Sequence, residues 1–151
     1  MKYSHNIHIM DSNNLHTVWI IDDDATYRYA FRKFVEMKGF CPDVVDFPNG
    51  EEAIDFLKNP INIGNLPDLI FLDIDMPIMD GWAFVKTFER LKSAFGKVIP
   101  IFMVTSSLSY ADIVTAQNHP DITDYILKPV DAQQFSMLFT EYLDKQRSKI
   151  L

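Results

Sequence analysis

Residues 67–81 read Pro67-Asp68-Leu69-Ile70-Phe71-Leu72-Asp73-Ile74-Asp75-Met76-Pro77-Ile78-Met79-Asp80-Gly81. Leu69 to Leu72 are apolar at every position, without the alternation of a strand wetted on one face, so they predict a short strand covered on both faces. Asp73 ends it abruptly. Asp73 to Gly81 predict a loop, and Phe84, Val85, Phe88, Leu91 and Phe95 then follow at helical spacing. A strand buried on both faces and followed by an amphipathic helix is the building unit of a parallel sheet.

The unit recurs on both sides of this segment. Val18-Trp19-Ile20-Ile21 predicts a strand, followed from Thr26 by a helix with Tyr27, Ala30, Phe31, Phe34 and Val35 on one face and Gly39 as its stop. Val44-Val45-Asp46-Phe47 predicts the next strand; Asn49, with Glu52 three residues on, then caps a helix carrying Ala53, Ile54 and Leu57. Asn59 to Pro67, with Pro60, Gly64 and Pro67, predicts a loop. Ile101 to Val104 is a fourth strand, with Ser109 capping a helix through Ile113 and Val114. Tyr125-Ile126-Leu127 is a fifth, and Phe135, Leu138, Phe139 and Tyr142 form the stripe of the last helix. The order is (βα) five times, a doubly wound α/β fold with a five-stranded parallel sheet. The aromatic stripes are core packing rather than a cofactor box.

Composition narrows the function classes. The 151 residues fit one domain. The net charge of −7 argues against nucleic acid and against an anionic membrane surface as partners. The longest unbroken apolar run, Ile101 to Val104, is far below a membrane span. No leader is visible in Met1 to His16, a segment expected to be a flexible tail. His5, His8 and His16 in it have no acidic or thiol partner and are read as solvated. The single cysteine, Cys41, excludes an internal disulfide and fits a cytoplasmic, reducing compartment; it is expected to be a small residue near a strand start.

In a parallel α/β sheet, chemistry gathers beyond the carboxyl ends of the strands. There the first strand ends in Asp22-Asp23-Asp24, the third in Asp73, the fourth in Thr105-Ser106 and the fifth in Lys128-Pro129. The second ends only in Phe47-Pro48-Asn49 and is expected to lie away from the site. Consecutive acids after an apolar strand repel one another, and helix capping accounts for only one of them. A divalent cation removes the conflict, since magnesium favours carboxylate oxygens. Acids, a cation site, a lysine and a hydroxyl suit phosphoryl transfer, in which a carboxylate can be the nucleophile.

These segments resemble the response-regulator receiver domains of two-component signalling, single-domain chemotaxis regulators among them. Asp22-Asp23-Asp24 with Arg28, the segment Pro67 to Gly81, Thr105-Ser106 and Tyr125-Ile126-Leu127-Lys128-Pro129 match that family's motifs in order and spacing, over about Thr17 to Leu143. The resemblance implies the flavodoxin-like receiver fold, strand order 2-1-3-4-5, over residues 17–145, with 146–151 as the end of the last helix or a short tail. It implies Asp73 as phosphoacceptor, with Asp23, Asp73 and the Asp75 main-chain carbonyl holding Mg2+ (or Mn2+) directly and Asp22 acting mainly through water. Lys128 would pair with the phosphoryl oxygens, Thr105 would bond one of them, and Tyr125 would rotate inward as the switch. The Lys128–Pro129 bond is expected to be cis. The partners implied are a histidine kinase or histidine phosphotransfer protein, and a downstream protein or second copy on the face of helix four, strand five and helix five. With no room after Lys145 for an effector domain, no DNA-binding or enzymatic output is expected, and the domain is not a turnover enzyme.

Departures from the family pattern fall at Asp75 and Ser107, positions that influence phosphate lifetime, and at Val130 and Ile122-Thr123. None removes a catalytic group. A degenerate receiver that only binds partners would lose an acid or the lysine. A haloacid-dehalogenase-type phosphatase would share Asp73-Ile74-Asp75 but carry Thr or Val where Pro77 stands, and would turn over phosphomonoesters. A flavodoxin-like flavin binder would need a Ser/Thr/Gly phosphate loop where the three aspartates stand, and would purify yellow.

Overall fold

The computed structural model describes residues 15–148. Among them, strands β1 (Thr17–Ile21), β2 (Asp43–Phe47), β3 (Leu69–Leu72), β4 (Ile101–Thr105) and β5 (Ile122–Leu127) form one parallel sheet in the order β2-β1-β3-β4-β5. Helices α1 (Ala25–Lys38), α2 (Gly50–Lys58), α3 (Gly81–Leu91), α4 (Tyr110–Asn118) and α5 (Ala132–Ser148) follow the strands in turn. This is the expected doubly wound receiver topology.

Strand periodicity divides the core into two layers. Trp19, Ile21, Ile70, Leu72, Ile101 and Met103 point to one face, where α2, α3 and α4 cover them with Ile54, Leu57, Phe84, Phe88 and Ala116. Val18, Ile20, Leu69, Phe71, Phe102 and Val104 point to the other, under Phe31 and Val35 of α1 and Phe135 and Phe139 of α5. Phe71 is the hub of that second layer, with ring centroids of Phe31 at 5.0 Å, Phe102 at 5.5 Å and Phe139 at 5.6 Å. The helical stripes therefore are core, as read from spacing. Cys41 is buried near the start of β2, and burial pushes its thiol up to about 11, which keeps it unreactive.

Several boundaries differ from expectation. Helix α3 ends at Leu91, and Phe95, expected on its stripe, follows a 3-10 turn, Lys92–Ala94. Leu15 and His16 are not part of a loose tail: Leu15 packs in the second layer, and the His16 and Thr17 amides donate to Asp68 Oδ2 at 2.8 and 3.0 Å. His5 and His8 lie outside the described residues. The segment after α2 holds a 3-10 helix, Pro60–Asn65, where a loop was expected. Asn59 caps it through the Ile61 amide, and Pro60 supplies a preset φ at its first turn. Strand β5 begins at Ile122 rather than Tyr125, pairing Ile122 with Ile101. Thr123 and Asp124 are exposed on this edge strand, so their polarity concealed the strand from a reading based on apolar runs.

Candidate functional site

The acidic triplet divides into three roles set by backbone position. Asp22 leaves the end of β1 and is 1% exposed. Its Oδ1 accepts the Asp24 amide at 2.9 Å, and its main-chain carbonyl accepts Arg28 Nη1 at 2.7 Å. Arg28 is held in turn by Asp46, 2.9 Å from its Nε. Asp23 is exposed on the rim. Asp24 is the N-cap of α1, accepting the Thr26 and Tyr27 amides. Capping thus accounts for one acid of the three.

Asp73, 7% exposed, follows β3, and its Oδ1 accepts the Ile74 amide at 2.7 Å. Carboxylate oxygens of Asp22, Asp23 and Asp73 come within 4.8 Å of one another. The Asp75 carboxylate is not in that group; Asp75 is exposed on the loop two residues on. Lys128 reaches in from the end of β5, its Nζ 2.6 Å from Asp22 Oδ2 and 3.4 Å from Asp73 Oδ2. The Lys128 amide donates to the Thr105 carbonyl at 2.9 Å, and the Lys128–Pro129 bond is cis, as expected. The ammonium also sits over the Tyr27 ring, 4.2 Å from its centroid.

Burial raises the Asp22 carboxyl above its ordinary value, with Lys128 opposing part of the rise. Burial works against the Lys128 ammonium, but the Asp22 hydrogen bond and the Asp22 and Asp73 charges outweigh it and hold its pKa above the usual lysine value. Burial, then the charges of Asp22 and Asp73, push the Tyr27 phenol upward, so the ring stays neutral. One ammonium cannot balance these three carboxylates. A clustered all-oxygen donor set with surplus negative charge fits a hard divalent cation.

The loop from Asp73 to Gly81 closes on itself. Gly81 N donates to the Ile74 carbonyl at 2.8 Å, and a Cβ on Gly81 would lie 2.5 Å from the Asp73 carbonyl oxygen. Only glycine permits that approach. Ile78 has φ 70° at the centre of a three-residue turn closed by Met79 N to Pro77 O at 2.7 Å.

Thr105 is fully buried, its Oγ1 accepting the Ser107 amide at 3.2 Å. Tyr125 is half-buried, and its hydroxyl donates to the Ser107 carbonyl at 2.8 Å. The structure therefore brings Asp22, Asp23, Asp73 and Lys128 together at the carboxyl ends of β1, β3 and β5, and ties Thr105 of β4 and Tyr125 of β5 to one adjoining loop through Ser107. β2 contributes no acid there, as expected, although its Phe47 carbonyl accepts the Asp22 amide at 3.1 Å. Sequence reasoning missed Tyr27, which it took only as a stripe residue, and Asp112, whose carboxylate accepts both Ser107 Oγ and Trp82 Nε1. Asp112 stands three residues after the Ser109 cap, an unexceptional place for an acid.

The response regulator receiver domain model matches residues 18–139, and the chain belongs to that family. It is similar to the sensor histidine kinase CheAY of Helicobacter pylori, 32% identical over 136 residues, which covers 88% of this chain and 16% of that protein. It is 30% identical over 131 residues to a Methanococcoides burtonii protein-glutamate methylesterase/protein-glutamine glutaminase, 85% of this chain and 34% of the other. The chain thus spans about a third of the second relative's length and less of the first's. The crystal structure of a two component response regulator from Cytophaga hutchinsonii superposes with a TM-score of 0.75 at 24% identity, covering 87% of this chain and 98% of that one, and shares the fold. Receiver domains are signalling modules of two-component systems and hold Mg2+ at an acidic pocket, the feature that Asp22, Asp23 and Asp73 form here. Among the described residues no helix is long and apolar enough to cross a membrane.

Proposed function

We propose that this domain is a phosphoacceptor: Asp73 takes a phosphoryl group from a phosphohistidine of a histidine kinase or phosphotransfer protein. The observation that carries this is the buried Asp73 carboxylate, grouped with two further acids and 3.4 Å from Lys128 Nζ. A carboxylate oxygen of Asp73 attacks phosphorus as the P–N bond breaks, and the imidazole departs with the electron pair. Asp23, Asp73 and the Asp75 main-chain carbonyl would hold Mg2+ directly, with Asp22 acting through water, and the ion would supply positive charge to the transferring oxygens. Lys128 holds a fixed positive charge at the same place, anchored by Asp22. Its pKa, held above the lysine value, keeps it protonated throughout.

The signal leaves by the face of α4, β5 and α5. The Thr105 hydroxyl turns to a phosphoryl oxygen and draws on the loop carrying Ser107, and Tyr125, whose ring packs on the core and whose hydroxyl bonds the Ser107 carbonyl, is the switch residue that responds to that loop. Tyr110, Leu127 and Met137 on this face are 80%, 41% and 55% exposed, which supports its use as a contact surface for a downstream protein or a second copy.

Incubation with acetyl phosphate and Mg2+ followed by intact-mass measurement tests the phosphoacceptor reading. One phosphate is expected, lost in Asp73→Asn and in EDTA. Full incorporation in EDTA, or none under any condition, overturns it; the second result would mark a receiver that acts by binding alone.

A further inference from the structure

Tyr27 belongs to the apolar stripe of α1, and its ring packs against the layer that holds Phe31 and Phe135. Two observations set it apart from the rest of that stripe. Lys128 Nζ lies over the ring, 4.2 Å from its centroid. The Tyr27 hydroxyl is buried and has no hydrogen-bond partner among the described residues, so the ring face, not the hydroxyl, makes the polar contact. The helix holds the ring in place. Asp24 caps α1 by accepting the Thr26 and Tyr27 amides at 2.9 and 3.1 Å. The third acid of the triplet thus fixes the backbone of the residue that covers the lysine.

The Lys128 ammonium touches Asp22 Oδ2 at 2.6 Å, Asp73 Oδ2 at 3.4 Å and this ring. Each carboxylate that attracts it also offsets its charge. The ring attracts it through the quadrupole of its π face and brings no net charge. We propose that Tyr27 is a positioning residue for phosphoryl transfer: its ring face keeps the Lys128 ammonium beside Asp73, with its positive charge available to the incoming phosphoryl oxygens. The proposal rests on the phosphoacceptor reading above. A lysine is a point charge on a flexible four-carbon stem, so its placement has to come from what surrounds it. Asp22 already holds the shorter of the two bonds and by itself would draw the ammonium away from Asp73. A ring over Nζ narrows the positions the ammonium can take, and a charge fixed beforehand stabilises a transferring group best. The ring has to be neutral for this, because a phenolate would add a further anion to the centre. Burial, then the charges of Asp22 and Asp73, push the phenol upward and keep it so.

The rate of labelling by acetyl phosphate and Mg2+, followed by intact mass on the full chain, measures the effect. Tyr27→Leu keeps apolar bulk and deletes the ring face; it is expected to slow labelling about 3–10-fold, the range of a partly desolvated cation–π contact. Tyr27→Phe keeps the face and should restore most of the rate without lowering Tm, since the hydroxyl it deletes has no partner. The affinity for Mg2+ alone should change less than about twofold in Tyr27→Leu, because the ring acts on the lysine. By NMR, the ring current should shield the Lys128 ε-protons in wild-type protein and in Tyr27→Phe, and the shielding should vanish in Tyr27→Leu. Tyr27→Met serves in its place if Tyr27→Leu fails to fold. Equal slowing in Tyr27→Phe and Tyr27→Leu, an unchanged rate in Tyr27→Leu, slowing matched by an equal loss of Mg2+ affinity, or unshielded Lys128 ε-protons in the wild-type protein overturns the proposal. A wild-type protein that takes no label under any condition would instead sink the phosphoacceptor reading, and the proposal with it.

Discussion

Lys128→Met keeps the length of the side chain and deletes its charge. Asp22, 1% exposed, then keeps the Asp24 amide on Oδ1 but loses the ammonium 2.6 Å from Oδ2. Breaking a buried pair costs about 3–5 kcal/mol when the remaining charge stays dry. The Lys128 side chain is 19% exposed, so water relieves part of this, and a loss of roughly 2–4 kcal/mol is expected in metal-free buffer at neutral pH. Burial already raises the Asp22 carboxyl above 3.8, and removing Lys128 raises it further. A folded pKa above the unfolded value means that the native state holds a proton the unfolded chain has released, so stability falls as pH rises between the two. The deficit should therefore be small near pH 4 and complete once the pH passes the folded value. Urea unfolding in EDTA across that range, with Asp22→Asn and the double mutant, measures it. Asp22→Asn should restore much of the loss, with a coupling of at least ~1 kcal/mol between the sites. A deficit that does not change with pH, or additive effects of the two substitutions, would show that Lys128 does not neutralise Asp22.

Mg2+ at about 100 times its Kd should stabilise the folded domain by ~2.7 kcal/mol, visible as a rise of several degrees in Tm. Asp23→Ala should lose more of that rise than Asp22→Ala, whose carboxylate is already engaged by Lys128 and the Asp24 amide; equal losses would contradict the ligand roles. Gly81→Ala forces a Cβ to 2.5 Å from the Asp73 carbonyl oxygen and should cost about 1–3 kcal/mol in urea unfolding, a change within ~0.5 kcal/mol showing that the loop yields. Ile78→Asn should stabilise by up to ~1 kcal/mol, because the side chain is 77% exposed and leaves a φ of 70° that asparagine tolerates better; destabilisation would mean Ile78 packs against something that offsets its backbone strain.

The fold was legible because its strands are apolar on both faces. Leu69 to Leu72 and Ile101 to Thr105 are buried at every position, so runs of Leu, Ile, Val and Phe marked them without ambiguity. The edge strand was harder: β5 exposes Thr123 and Asp124, and only its last half read as a strand. The acidic centre was legible because like charges next to apolar runs need a reason. The triplet's internal division was not, since which of Asp22, Asp23 and Asp24 turns into the core depends on the chain direction leaving β1. Asp112 and Tyr27 were invisible for a similar reason. An acid in the first turn of a helix and an aromatic on a helical stripe are ordinary, and their partners Trp82, Ser107 and Lys128 lie 30, 5 and 101 residues away in sequence.

The assignment of Asp73 as the phosphoacceptor is tested most directly by locating the phosphate. After acetyl phosphate and Mg2+, borohydride reduces an aspartyl phosphate to homoserine, and peptide mass spectrometry identifies the residue converted. Homoserine at position 73, absent without acetyl phosphate and absent in EDTA, is the expected result. Conversion at Asp22, Asp23 or Asp75 with Asp73 intact would contradict it.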